Sequence, residues 1–172
     1  MSFADFLNET RVDSDMIQQA LRIYLSERTD DLTPDEMTSE LRTYAKDEKQ
    51  FDETLKRLEQ SPEAVEEAAL TYFEREWEDE SRRPSIRTVF ENAKNQLPVV
   101  ETAILAIVTM YAIHMIATGG MLERKTVTRR TSDGAFETIE SEKREPFHPI
   151  ISAIPRLLGS TTNAAGNAAP EN

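Results

Sequence analysis

Along residues 1–97 apolar positions return every three or four residues with charged positions between them, the period of helices that bury one face. In residues 14–28 the stripe is Ile17, Leu21, Tyr24 and Leu25, with Ser14 placed to cap the first turn. The next stripe, Met37, Leu41 and Tyr44, follows Thr33, Pro34 and Glu36, which form a capping-box pattern with proline at the first helical position. A shorter helix carries Phe51, Leu55 and Leu58. Ser61 and Pro62 then open the best-defined helix, whose stripe is Val65, Ala69, Tyr72, Phe73 and Trp77. Ile86, Val89, Phe90, Ala93 and Leu97 continue the period to Pro98, where the α conformation is disfavoured at the preceding residue and a boundary is predicted.

The pattern changes at residues 99–118, VVETAILAIVTMYAIHMIAT, where 15 of 20 residues are apolar. On a helical wheel the polar positions Glu101, Thr102, Thr109, His114 and Thr118 scatter over all sides, so no single face is marked for burial. A helix apolar all round belongs in a bilayer or in the middle of a bundle, and about 20 apolar residues is the length a bilayer demands. Glu101 and His114 are costly in hydrocarbon and favour the bundle. Against that, Glu101 can sit at the interface, the threonines can bond their own helix, and His114 can be neutral. The reading adopted is a single-pass membrane anchor, carried by Val99, Leu105, Val108, Ile113 and Ile116. The alternative is a soluble helical binding module with this helix buried, within one chain or in a homo-oligomer. Gly119 and Gly120 supply the stop.

Beyond the stop the period becomes that of strands. Residues 125–131 and 135–141, around Asp133-Gly134, read as a β-hairpin, with Arg129 and Arg130 opposite Glu137, Glu140 and Glu142. A lone two-stranded hairpin is marginal in water, so it must lean on something. Ile150, Ile151, Ile154, Leu157 and Leu158 follow, with Pro149 and Pro155 limiting any helix to a turn or two; the run reads as a short interfacial segment or, by preference, a strap over the core. Residues 160–172 are small, polar and aperiodic, the composition of a disordered tail. The fold class is therefore mainly α, in four parts: an acidic helical region 1–97, a hydrophobic helix 98–120, a hairpin and short apolar segment 121–159, and the tail.

Charge and composition narrow the function. With 32 Asp and Glu against 20 Lys and Arg, the net charge of −12 opposes binding to phosphate backbones, so no nucleic-acid partner is expected. Absence of cysteine removes disulfides, thiolate catalysis and Cys-ligated zinc. The first residues, MSFADFLNETRVDSD, contain no basic region followed by an apolar run, which places the helical region in the cytoplasm. Lys and Arg flanking the apolar segment tie, with Arg82, Arg83, Arg87 and Lys94 before it and Arg124, Lys125, Arg129 and Arg130 after, so the positive-inside rule gives no orientation.

No nucleotide, metalloprotease or serine-hydrolase motif is present. His114 shares a helix face with Tyr111 and reads as a helix-to-helix hydrogen-bonding residue, and His148 has no ligand-spaced partner. Arg144 to His148 approaches an Arg-(x)4-His nuclease spacing but falls one residue short, with Glu145 and Pro146 interrupting it. The carboxylate pairs Glu66/Glu67 and Glu74/Glu78 fall on a helix face read as exposed, where nothing raises a pKa. Catalytic, cofactor and metal residues are thus none, and no small-molecule substrate is inferred. The aromatic stripe Tyr72, Phe73 and Trp77 is the candidate partner-binding face if the chain does not cover it, core packing being its commoner use. The acidic outer faces are a solvated surface or a docking face for a basic partner.

The stretch ATGGMLERKTVTRRTSDGAFETIE, an apolar helix ending in small residues, a basic stop and a Thr-rich hairpin, resembles the small membrane-helix-plus-hairpin components associated with effectors of bacterial defence systems. The resemblance is architectural and covers residues 99–141. It implies a non-enzymatic adaptor or structural assembly subunit at the membrane, acting through a protein partner or self-association.

Overall fold

Local capping chemistry sets most of the helix boundaries. In the computed structural model, which describes residues 1–96, 101–118, 126–140 and 148–159, Ser2 caps α1 (Phe3–Thr10) in a reciprocal box with Asp5. Asp13, one residue before the expected Ser14, caps α2 (Ser14–Arg28) by accepting from the Met16 N–H. Thr33 and Glu36 form the anticipated box at α3 (Pro34–Tyr44), and Asp47 caps α4 (Glu48–Glu59). The next two, α5 (Pro62–Trp77) and α6 (Arg83–Lys94), each start on a proline-containing turn; Ser61 holds the cap position of α5 without a side-chain hydrogen bond. Then come α7 (Thr102–Thr118), the hairpin β1 (Thr126–Arg130) and β2 (Phe136–Glu140), and α8 (Pro149–Leu157).

The apolar segment stands in the middle of a bundle. Helix α7 packs against α2, α3, α4, α5 and α8, and Ala106, Met110, Ala112 and Ile113 are wholly buried. Because its neighbours approach from every side, an apolar surface without a preferred face is what this position requires; each fully buried Ile or Val contributes about 1.5–3 kcal/mol. Of the residues assigned to anchoring, Val108, Ile113 and Ile116 are buried against protein and Leu105 is half-buried. Val99, the boundary at Pro98, the glycine stop at Gly119 and Gly120, and the tail 160–172 lie outside the described residues. Among the described residues no helix is long and apolar enough to cross a membrane.

One continuous hydrophobic core extends from Phe3 to Leu158 and so joins the parts that the sequence pattern separates. Helix α8 is the expected strap, lying on α7 and α4, but at nine residues it is longer than a turn or two. Pro155 falls in the last turn, where it forgoes one main-chain bond, to the Ile151 carbonyl, shortly before the helix ends at Leu157.

The hairpin is antiparallel, with Arg129 opposite Glu137 and Arg130 opposite Phe136. Its turn is at the anticipated Asp133-Gly134, where Gly134 adopts φ 87°, a conformation costly for any residue with a side chain. Arg129 pairs with Glu137 across the ladder at 3.2 Å. Arg130 instead leaves the ladder, lying 4.6 Å over the Phe136 ring and reaching Glu66 of α5 at 2.8 Å.

Candidate functional site

Three side chains from the helices hold the hairpin in place. The Asn8 amide, on α1, brackets the main chain of Phe136: its Nδ2 donates to the carbonyl at 2.7 Å and its Oδ1 accepts from the N–H at 2.7 Å. From α5, Glu66 takes two bonds from the Arg130 guanidinium, and the buried Glu74 accepts from the Thr128 hydroxyl. The turn beyond these ties is exposed yet internally fixed, since Asp133 accepts from the Thr131 hydroxyl and from the Ala135 N–H. Those two bonds hold the Asp133 carboxyl below its ordinary value. The result is a hairpin tip braced by its own hydrogen bonds and carried on a helical platform.

The aromatic stripe does not face outward. Tyr72, Phe73 and Trp77 are all buried, because α1 folds across them: Phe6 stacks on Trp77 at 4.9 Å and Phe3 lies 5.6 Å from the same ring. The guanidiniums of Arg83 and Arg87 cover Trp77 further, at 5.4 and 5.2 Å from its ring. In place of a partner-binding face, the stripe forms the aromatic core beneath α1. The Ser2-x-x-Asp5 capping pattern ahead of Phe3, Phe6 and Leu7 was the signal for that covering helix.

The carboxylates of α5 also differ from their expected exposure. Glu66 and Glu67 are half-buried and Glu74 is buried; Glu67 accepts from the His148 N–H at 3.2 Å, so it helps seat α8. Of the four, Glu78 alone is exposed, pairing with Arg75 at 3.1 Å. Glu76, not singled out by pattern, is buried as well and accepts from the Tyr24 hydroxyl at 2.8 Å and from Arg82 at 2.5 Å. Burial and the Glu76 charge push both the Tyr24 and the Tyr72 hydroxyls well above the ordinary phenol range.

His114 is buried on the α3 side of α7, its ring 4.8 Å from that of Tyr44, and burial holds it below the ordinary imidazole value. One turn away, the Tyr111 hydroxyl donates to Glu40 at 3.0 Å and is pushed up to about 12 by burial and by that bond. These side chains join α7 to α3, His114 by its ring contact with Tyr44 and Tyr111 by the hydrogen bond to Glu40. His148 caps α8, its Nδ1 accepting from the Ile150 N–H at 3.3 Å. Among the described residues no group of three or more His, Asp or Glu is placed to hold a metal ion.

Sequence reasoning missed a cleft of about 350 Å³ between α4 and α8. Gln50, Glu53, Thr54 and Arg57, at the i, i+3, i+4, i+7 spacing of one helix face, form one wall. Ala153, Arg156 and Leu157 of α8 form the other, and Lys46, just before α4, closes the end. A hydrogen bond from the Lys46 N–H to the Leu157 carbonyl, 3.4 Å, joins the two walls. The cations come from distant parts of the chain, so no local motif announces them.

No known protein family, curated protein or solved structure matches the chain.

Proposed function

We propose that the chain is a non-enzymatic contact module: a helical platform closed around its own apolar helix that presents a preorganised hairpin, flanked by acidic helix faces, to a protein partner. The observation that carries this reading is the three-point attachment of the hairpin through Asn8, Glu66 and Glu74, with residues 132–135 left exposed beyond it. A recognition element fixed before encounter loses little entropy on binding, which is how rigid loops gain affinity. Glu66 and Glu74 of α5 are engaged in holding the hairpin and Glu67 in seating α8, a structural use. Enclosure of α7 by five helices favours this reading over anchoring. The acidic surplus, net −12, favours a partner with a basic face.

The test is affinity enrichment with the parent chain beside a Ser132→Lys, Ala135→Lys variant, both substitutions falling on exposed turn positions. A protein retained by the parent, lost with the variant and released by salt supports the module. Sedimentation of the parent alone identifies a second copy as that partner if the variant also abolishes the dimer. Retention indifferent to the variant removes the hairpin from the interface. An alkaline-resistant membrane pellet would restore the anchoring reading instead.

A further inference from the structure

We infer that the cleft between α4 and α8 binds a small phosphorylated molecule. Its charge runs against the rest of the chain: the surface of a protein with net charge −12 gathers Lys46, Arg57 and Arg156 around one concavity, with Glu53 the one carboxylate among the described residues that line it. Among the described residues none of these three cations forms an ion pair; exposed Arg22, Lys49 and Lys56 are unpaired as well, and what sets Lys46, Arg57 and Arg156 apart is that they line one cleft. Like charges set around one cleft repel, and an anion between them relieves the repulsion.

The lining also specifies the kind of anion. Its surplus of two positive charges matches a phosphate monoester, which carries about −1.5 to −2 at neutral pH. Two guanidiniums offer the forked donors that suit phosphate oxygens, and the Gln50 amide adds a neutral donor. Ala153 and Leu157 supply an apolar wall for the organic part of the ligand. A volume of about 350 Å³ suits a compact molecule, and the acidic exterior repels extended polyanions such as nucleic acid. The main-chain bond from Lys46 to Leu157 ties the two walls together, so the lysine is positioned without using its ammonium.

Titration calorimetry at fixed ionic strength tests this on the full chain, with phenyl phosphate and inorganic phosphate as probes. Phenyl phosphate should bind saturably at one site and more tightly than inorganic phosphate, because only it uses the apolar wall. Arg57→Gln with Arg156→Gln should weaken it by about tenfold or more, and Glu53→Gln should tighten it, a gain that misfolding cannot imitate. Arg22→Gln, an exposed change on α2, should leave it unaltered. Absence of saturable binding, or binding that the Arg57/Arg156 variant retains while Glu53→Gln leaves it unchanged, overturns the assignment. The outcome is independent of whether the hairpin contacts a protein.

Discussion

The side chain of Asn8 occupies both main-chain hydrogen-bonding groups of Phe136, so α1 does for β2 at that point what a third strand would do. Those groups would otherwise mark an open sheet edge, the usual route to unwanted pairing between chains. Replacing Asn8 by Ala should lower stability by about 1 kcal/mol, the net worth of such hydrogen bonds where they are partly open to water. Hydrogen exchange should show the loss first at the Phe136 amide, with α7 still protected. If exchange at Phe136 is unchanged, the hairpin does not depend on α1.

Val108 faces the opposite situation, lying 2% exposed in the middle of α7. An unpaired lysine ammonium there costs several kcal/mol, comparable with the whole margin of about 5–15 kcal/mol that holds a domain folded. Val108→Lys should therefore unfold the helical platform, seen as loss of the cooperative thermal transition by circular dichroism. A variant that stays folded and merely leaves the membrane fraction would return α7 to the role of an anchor.

Thr109, the neighbouring residue, buries a hydroxyl with no hydrogen-bond partner among the described residues. The expectation that threonines of this segment bond their own helix holds for Thr118, which donates to the His114 carbonyl at 2.9 Å, but not for Thr109. Thr109→Val keeps the shape and removes the orphan, and should stabilise by about 1 kcal/mol, or a rise of roughly 2–4 °C in Tm. A fall in Tm would reveal a partner for that hydroxyl.

His114 confers a pH dependence of definite sign. Burial lowers its pKa from 6.5, with the Glu40 charge opposing, so the unfolded chain takes up a proton at a higher pH than the native one does. Stability is thus lost as pH falls through 6.5 towards the folded value. Between about pH 7.5 and 5.5 the parent should lose more Tm than His114→Gln does. The carboxylates of Asp5, Glu36, Asp79 and Asp133, all held below their ordinary values, act in a lower window. Equal losses in parent and variant would mean that the imidazole is as free to protonate in the fold as outside it.

What the sequence displayed clearly was whatever is decided within a few residues. The box of Thr33 and Glu36, the proline starts at Pro34 and Pro62, and the Asp133-Gly134 turn are local chemistry, and each stands where it was expected. Residues 102–118 were ambiguous for a physical reason: a helix apolar on every side has the same pattern whether lipid or five other helices surround it. Tyr72, Phe73 and Trp77 show the same limit, since an apolar stripe does not announce that Phe3 and Phe6 will cover it. The α4–α8 cleft was the least legible of all. Arg57 and Arg156 meet only because α8 is strapped across the bundle, and nothing near either residue records that crossing.

The central place of α7 has a consequence for how the protein is made. The helices that enclose it from α2 to α5 leave the ribosome before it does, and until residues 102–118 follow the apolar side chains that meet α7 have nothing to pack against. Newly emerging chains should accordingly depend on holding chaperones up to that point, and a nascent fragment stalled before it should aggregate where one extended past α8 does not.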